Sequence, residues 1–343
     1  MQVAHPMLAS LQGAGSVLRT RALDVVAHAV TSVRYKLPDA RPKTFGLVRT
    51  RNVRYGQEKE HTLDVYRPED ATGLLPTVVY IHGGAFSMLS KDTHCVMGYQ
   101  LAKRGYAVFN VNYRLGSKNP FPTPLLDAIR ALEWVVERAS EHGGDPSQLF
   151  LAGESAGGNL VTTLALLRSF SRPEEFATRF FEKQIPLAGV IATYPLLDFY
   201  GLRDLRAHPR HSYFIRQAMF DAAYGYLAKD AFSLDRSPLL ASPLRLLESD
   251  EPTRTSLPPF FVSVGTRDPL ISHSKRLKAA LDARDVPCEL EIAPGEIHGY
   301  DALIWRDAAR TKWHRAHRFL EETLKSATSA AGQADDLTLA VPA

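Results

Sequence analysis

The apolar positions of this chain fall into runs of two kinds, and their order carries the first inference. Thr77-Val78-Val79-Tyr80-Ile81, Ala107-Val108-Phe109-Asn110-Val111 and Gln148-Leu149-Phe150-Leu151-Ala152 are short and almost continuously apolar. Residues 187–193, 260–264 and 289–293 repeat the pattern. Strands buried on both faces have this character, as in a parallel sheet covered by helices. Residues 47–55 and 61–66 alternate loosely, which predicts an antiparallel start to the sheet. Between the runs the period lengthens: residues 122–142 carry Leu125, Leu126, Ile129, Leu132, Val135 and Val136 at helical spacing. Residues 156–170, 273–285 and 302–324 are helices by the same test. Strands alternating with helices predict an α/β fold with a mostly parallel central sheet flanked by helices.

Two segments break the alternation. Residues 7–33 place Leu8, Leu11, Leu18, Val25, Val26, Val30 and Val33 at loosely helical spacing. This predicts a helix that packs on its own domain or serves as a lid or membrane-facing element. Residues 199–257 are too long for a simple connection and close on Pro238, Pro243, Pro252, Pro258 and Pro259. The expectation is an insertion forming a helical cap over the carboxyl edge of the sheet, together with the N-terminal segment. Its aromatics Phe199, Tyr200, Tyr213, Phe214, Phe220, Tyr224 and Tyr226 either wall an apolar pocket or form the cap's own small core. The chain is thus expected to divide into a cap segment (1–45), an α/β domain (46–325) containing the insertion (199–257), and a disordered tail (326–343).

Composition narrows the function. Hydrophobic residues at 45% against 23% charged match a soluble globular protein. The formal charge of +4 comes from scattered basic residues rather than a cluster, so no nucleic-acid partner is expected. Cys95 and Cys288 are two isolated cysteines, which do not make a disulfide framework or a zinc site, and no metal is expected. The apolar stretch 7–18 lacks a charged leader and contains Gln12, Gly13 and Gly15; Arg19, Arg21 and Asp24 then interrupt it. No secretory signal and no stable membrane insertion are expected, and a cytoplasmic location is the default.

The chemistry lies in four places. Gly153-Glu154-Ser155-Ala156-Gly157 follows one predicted strand and opens a helix. G-x-S-x-G in that context is a sharp turn that lifts a serine hydroxyl out of the sheet at a helix N-terminus, where negative charge is favoured. His82-Gly83-Gly84-Ala85-Phe86 follows another strand. Successive glycines let backbone amides meet the negative charge that acyl transfer builds on a carbonyl oxygen, so Gly83, Gly84 and Ala156 are assigned as the oxyanion hole. His82 is expected to brace this loop rather than act as a base. A nucleophilic serine needs a base and the base an orienting acid. His298, in Gly295-Glu296-Ile297-His298-Gly299-Tyr300, and Asp268, in Gly265-Thr266-Arg267-Asp268-Pro269-Leu270, both follow strand ends in the order Ser, Asp, His. Asp198 is the rival acid; His273 is a poor base because it opens a helix.

Together these motifs resemble the hormone-sensitive-lipase-like branch of the α/β hydrolases, almost continuously from Pro76 to Asp301. The marks include Val111-Asn112-Tyr113-Arg114-Leu115, Phe121-Pro122, Ala131-Leu132-Glu133-Trp134-Val135 after Asp127, Gly158-Asn159-Leu160 and Ser237-Pro238-Leu239. Ala85 stands where the family often has a third glycine, and Gly116-Ser117-Lys118 replaces its usual Ala-Pro-Glu. The resemblance implies an α/β-hydrolase fold with a helical cap and hydrolysis of short- or medium-chain carboxylic esters. It also implies no metal or organic cofactor. The expected partner is a small-molecule ester, with a homodimer left open. Three other readings remain open at this point: an amidase or deacetylase using the same triad, a non-catalytic binding module, and a lipase acting at an interface.

Overall fold

The apolar runs become strands of one sheet in the computed structural model. It describes residues 41–116, 118–202, 213–228 and 238–339, with 15, 17–19, 21, 22, 24–26, 28 and 29 of the N-terminal segment; for 213–215 and 328–339 it describes the backbone alone. Among the described residues eight strands pair: β1 (Leu47–Arg54), β2 (Thr62–Pro68), β3 (Leu75–Ile81), β4 (Ala107–Val111), β5 (Gly144–Glu154), β6 (Gly189–Thr193), β7 (Phe260–Gly265) and β8 (Cys288–Ala293). Their order is β1-β2-β4-β3-β5-β6-β7-β8. β2 runs antiparallel to β1 and to β4, and every later pairing is parallel.

Parallel neighbours need crossovers, and helices supply them. The described helices are α1 (Cys95–Ala102), α2 (Thr123–Arg138), α3 (Ala156–Ser169), α4 (Glu175–Glu182), α5 (Tyr213–Leu227), α6 (Pro243–Leu247), α7 (Ile271–Asp282) and α8 (Asp307–Leu339), the last of which follows the final strand. Successive strand residues point to opposite faces, so each strand feeds two cores. Val79, Phe109 and Leu151 join Leu132, Leu160 and Leu164 on one side. Val78, Val108 and Phe150 join Leu101, Trp313 and Leu320 on the other. Each such side chain stabilises the fold by roughly 1.5–3 kcal/mol through burial, so the sheet is clamped between its helix layers.

Three elements depart from the sequence expectation. α1 is almost wholly buried, only Val96 being partly exposed, and therefore shows no amphipathic period. α4, eight residues long, was not expected either. α8 begins at Asp307 and continues to Leu339, so the stretch expected as a disordered tail is helical up to that residue, and 340–343 lie outside the described residues. Ala327, Ala330, Ala331 and Ala334 favour helix propagation, and no proline interrupts before Pro342.

The N-terminal segment is helical at every described position from 15 to 29. Arg19 donates to Asp221 of α5 at 2.9 and 3.4 Å, and the Asp24 carboxylate accepts the Leu89 N–H at 2.7 Å. The segment is therefore tied both to the insertion and to the loop that follows β3. Within the insertion, 203–212 and 229–237 lie outside the described residues, as do 1–14 and 30–40 of the N-terminal segment. No described helix is long and apolar enough to cross a membrane.

Candidate active site

β5 ends at Glu154, and the chain turns at once into α3. Ser155 at that turn holds φ 55° and ψ −114°, a conformation that costs on the order of 1–3 kcal/mol for a residue other than glycine. Neighbours hold it there. Its N–H donates to Thr193 O at 3.0 Å, and its carbonyl accepts Leu196 N–H and Asn159 N–H, each at 3.1 Å. The Asn159 amide group in turn donates to Leu196 O and Ala241 O at 2.7 and 3.0 Å. The flanking glycines are required by contact: a Cβ on Gly153 would lie 2.6 Å from Gly157 O, and one on Gly157 would lie 2.0 Å from Ile81 O.

His298 follows β8, and its Nε2 lies 3.0 Å from Ser155 Oγ. Its Nδ1 lies 2.8 Å from Asp268 Oδ2, in the turn after β7. The second oxygen of Asp268, a buried residue, accepts Leu270 N–H at 2.8 Å, which fixes the carboxylate plane. A carboxylate can only accept, so the imidazole proton sits on Nδ1 and Nε2 is left to take the serine proton. Burial pushes the imidazole down. The charge and hydrogen bond of Asp268, with Glu154 and Asp301 adding to them, outweigh burial and raise its affinity for a proton above the ordinary histidine value. The structure thus brings Ser155, His298 and Asp268 into one hydrogen-bonded line.

The rival groups lie elsewhere. Asp198 pairs with Arg276 at 2.8 Å and accepts Tyr200 N–H at 2.9 Å. His273 accepts Leu197 N–H on Nδ1 at 3.2 Å, and burial pushes it down to about 4. His82 stacks between Tyr113 and His94, with ring centroids 4.6 and 5.5 Å away; burial pushes it down to about 3, so it stays neutral.

The glycine loop differs in one respect from the assignment made on sequence. The N–H of Gly83 donates to the Glu154 carboxylate, so it is not free to meet a substrate oxygen. The same carboxylate pairs with His94 Nε2 at 3.0 Å. Burial lowers the proton affinity of His94, but the Glu154 charge outweighs it and the net effect is a rise. Gly84 takes φ 109°, and a Cβ there would lie 2.1 Å from Met88 O, so the turn requires glycine. Among the described residues no acceptor takes the N–H of Gly84 or of Ala85. Ala156, first in α3, has no intrahelical partner for its N–H, as is general at a helix start.

Ser155 and His298 open into a cavity of about 500 Å³ whose walls include Met88, Leu89, Leu196, Met219 and Leu270. Residues Ala218, Met219 and Ala222 are what α5 contributes. The aromatics considered as pocket walls do something else. Phe199 and Tyr226 are buried and pack with Phe86, the Tyr226 ring stacking on Phe86 at 3.7 Å, while Phe220 and Tyr224 stack on each other at 6.0 Å. Phe199 and Tyr226 thus belong with Phe86 to the core that also holds Val79 and Leu151, and none of these aromatics is among the residues lining the cavity. Of Tyr213 and Phe214 the side chains lie outside the described residues. A polar cavity of about 530 Å³, lined by Glu58, His61, Arg114 and Asp127 among others, holds no nucleophile beside a base; these four side chains pair with one another. Among the described residues no three His, Cys, Asp or Glu side chains group so as to hold a metal ion.

Sequence reasoning missed Glu154, His94 and Tyr194. Glu154 stood inside the serine motif as a variable letter, and the carboxylates that His94 and Tyr194 meet, Glu154 and Asp301, lie far along the chain from them.

Comparison with known proteins bears on the family and the fold. The sequence profile of a family described as having the alpha/beta hydrolase fold matches residues 78–302. Carboxylesterase NlhH of Mycobacterium tuberculosis is 32% identical over 261 residues, covering 74% of this chain and 75% of that protein. The acetyl esterase of Salmonella typhi is 27% identical over 247 residues, or 70% and 69% of the two chains. Among solved structures, a bacterial heroin esterase superposes with a TM-score of 0.74 at 24% identity, over 90% of this chain and 93% of its own. Esterase B of Lactobacillus rhamnosis gives 0.73 at 20% identity, over 93% and 99%. These two share the fold. The matched profile, the relatives and the arrangement at the sheet edge together place the chain in the hormone-sensitive-lipase-like branch of the α/β-hydrolase family, as a carboxylic ester hydrolase.

Proposed function

We propose that the chain hydrolyses short- to medium-chain carboxylic esters through an acyl-enzyme on Ser155, with His298 as base and Asp268 as its orienting acid. The observation that carries this is the line Asp268–His298–Ser155, at 2.8 and 3.0 Å, on the wall of an apolar cavity. Ser155 Oγ attacks the ester carbonyl as its proton passes to His298 Nε2. Asp268 stabilises the imidazolium that forms. The carbonyl oxygen, now anionic, is met by the N–H groups of Gly84 and Ala156, with Ala85 next in the loop; Gly83 serves through its bond to Glu154. The carbon–oxygen bond to the alcohol breaks, and His298 returns the proton to the leaving alkoxide. Water then repeats the sequence on the acyl-enzyme, releasing the acid and restoring Ser155.

A fluorophosphonate probe tests this directly. It is expected to label Ser155 and abolish hydrolysis of p-nitrophenyl butyrate in step with labelling. Hydrolysis that persists in the fully labelled protein, or a label on another residue, overturns the assignment.

A further inference from the structure

Beyond the triad, a second polar chain ends against the same imidazole. Tyr194 follows β6 directly and holds φ 33°. Its ring centre lies 4.4 Å from that of His298, with the planes inclined by 54°. Its hydroxyl donates to Asp301 Oδ1, three residues beyond His298. The other carboxylate oxygen accepts Lys312 Nζ of α8 at 2.9 Å, and these two side chains are 1% and 2% exposed. Trp313 Nε1 donates to the Asp301 carbonyl at 3.0 Å, and the Lys312 ammonium lies 3.4 Å from the Trp313 ring centre. A buried ion pair contributes little net stability compared with apolar side chains of the same volume, because both charges lose their water. Lys312 occupies the inward stripe of α8 beside Ala309, Trp313 and Ala316, where an apolar residue would fit the helix better. Stability alone therefore does not account for the pair.

We propose that Tyr194, Asp301 and Lys312 are positioning residues for ester hydrolysis: the Lys312–Asp301 pair anchors the Tyr194 hydroxyl, and the Tyr194 ring holds the His298 imidazole in line with Ser155. This rests on the triad reading above. Three carboxylates act on His298 electrostatically: Asp268 at Nδ1, Glu154 from the end of β5 and Asp301 from its own loop. Asp301 also acts on His94 and Tyr80, and Glu291 of β8 shares the field of Asp301 and Lys312. The anion of Asp301 favours protonated His298, and Lys312 partly cancels it. Removing one charge and removing the other must therefore displace the acid limb of kcat/KM in opposite directions, since that limb reports the free enzyme's base. Asp301→Asn is expected to move it to lower pH, and Lys312→Met to higher pH. A pair too far from the imidazole to act on it would leave the limb where it is, and the Tyr194→Phe variant separately reads the positioning.

The experiment measures kcat/KM for p-nitrophenyl butyrate against pH in the full-length wild type, Asp301→Asn, Lys312→Met and Tyr194→Phe. Each is normalised to the fraction labelled by fluorophosphonate. Tyr194→Phe keeps both charges and the ring, and removes only the hydroxyl between them. It provides the test should a charge variant fail to fold. Its kcat is expected to fall on the order of ten-fold with KM little changed, since a small misorientation of a catalytic group acts on the chemical step. An acid limb unmoved in a folded charge variant, limbs displaced the same way, or a Tyr194→Phe enzyme with wild-type kcat overturns the proposal while leaving the triad intact. A wild type that the probe does not label at Ser155 overturns the triad reading, and this inference with it.

Discussion

Replacing Asp268 by Asn changes one atom of the site and asks how much of the rate depends on a single proton's location. In the wild-type protein the Asp268 carboxylate accepts from His298 Nδ1 at 2.8 Å and from Leu270 N–H at 2.8 Å. Asparagine has one oxygen and one NH₂ group. The oxygen keeps the Leu270 bond and the NH₂ group faces Nδ1. Nδ1 must then accept, the imidazole proton moves to Nε2, and Nε2 can no longer take the serine proton. A loss of about 10⁴ in kcat follows from this tautomer reversal, equivalent to ~5.4 kcal/mol of barrier. Because the turn keeps its backbone bond, thermal stability should change far less, by about 1–3 kcal/mol.

Asp198→Asn is the control. That residue pairs with Arg276, whose side chain is 39% exposed, so the pair is worth about 1 kcal/mol at most and kcat should stay within roughly three-fold. The assay is steady-state hydrolysis of p-nitrophenyl butyrate, with thermal melting of both variants. If Asp268→Asn retains activity within ten-fold, or Asp198→Asn is the damaging change, the orienting acid is misassigned.

Ser155→Ala and His298→Ala should each lower kcat by about 10⁴ or more, and the double variant should be scarcely worse, because the members of a triad act as a unit; losses that multiply would contradict it. In the proposed mechanism His298 works as a neutral base, and its proton affinity is raised. Activity should therefore be lost as pH falls through a value above that of an ordinary histidine, and an acid limb of kcat/KM below the ordinary value would contradict the Asp268 assignment. EDTA should leave turnover unchanged, since Ser155 and His298 supply nucleophile and proton transfer; loss restored by a divalent ion would overturn this. Across p-nitrophenyl esters kcat/KM should rise by up to ~0.8 kcal/mol per buried CH₂ and peak between about C4 and C8. Deleting residues 1–40 removes the ties from Arg19 to Asp221 and from Asp24 to Leu89 and should flatten that profile, whereas an unchanged optimum would exclude the N-terminal segment from the substrate site.

The fold was legible because each central strand is apolar on both faces and each glycine motif stands at a strand end. Ala107–Val111 appears as a strand with the bounds expected, and Ser155, Asp268 and His298 each follow a strand. What escaped was local chemistry without local pattern. α1 has no polar face, so periodicity could not announce it. Gly83 carries the right residue type for an oxyanion donor, yet its N–H is taken by Glu154, a contact across 71 positions that no spacing rule anticipates. The aromatics of the insertion illustrate the same limit. Composition distinguishes an aromatic from an aliphatic, but only packing shows that Tyr226 stacks on Phe86 while Met219 faces the cavity. Lys312 did leave a trace, as a charge on the inward stripe of α8, and such a position merits a partner search in any chain.

The register of the sheet explains why the triad has the loop lengths it has. Glu154 pairs with Thr193, Thr193 with Ser263, and Gly265 with Ala293, so β5, β6, β7 and β8 end nearly level. Neighbouring strands lie about 4.8 Å apart, which puts the end of β8 roughly 14 Å from that of β5. Ser155 needs no reach and is the first residue after its strand. Asp268 comes three residues after Gly265. His298 comes five after Ala293, because it must return across two strands to meet the serine. Its path crosses the end of β6, where Tyr194 is the first residue out. A histidine on the longest loop is the member whose orientation is least fixed by the sheet. It is also the member that receives a carboxylate at Nδ1 and an anchored ring at 4.4 Å. The side chains gathered around His298 supply what the strand register, which fixes Ser155 outright, cannot supply to a loop of that length.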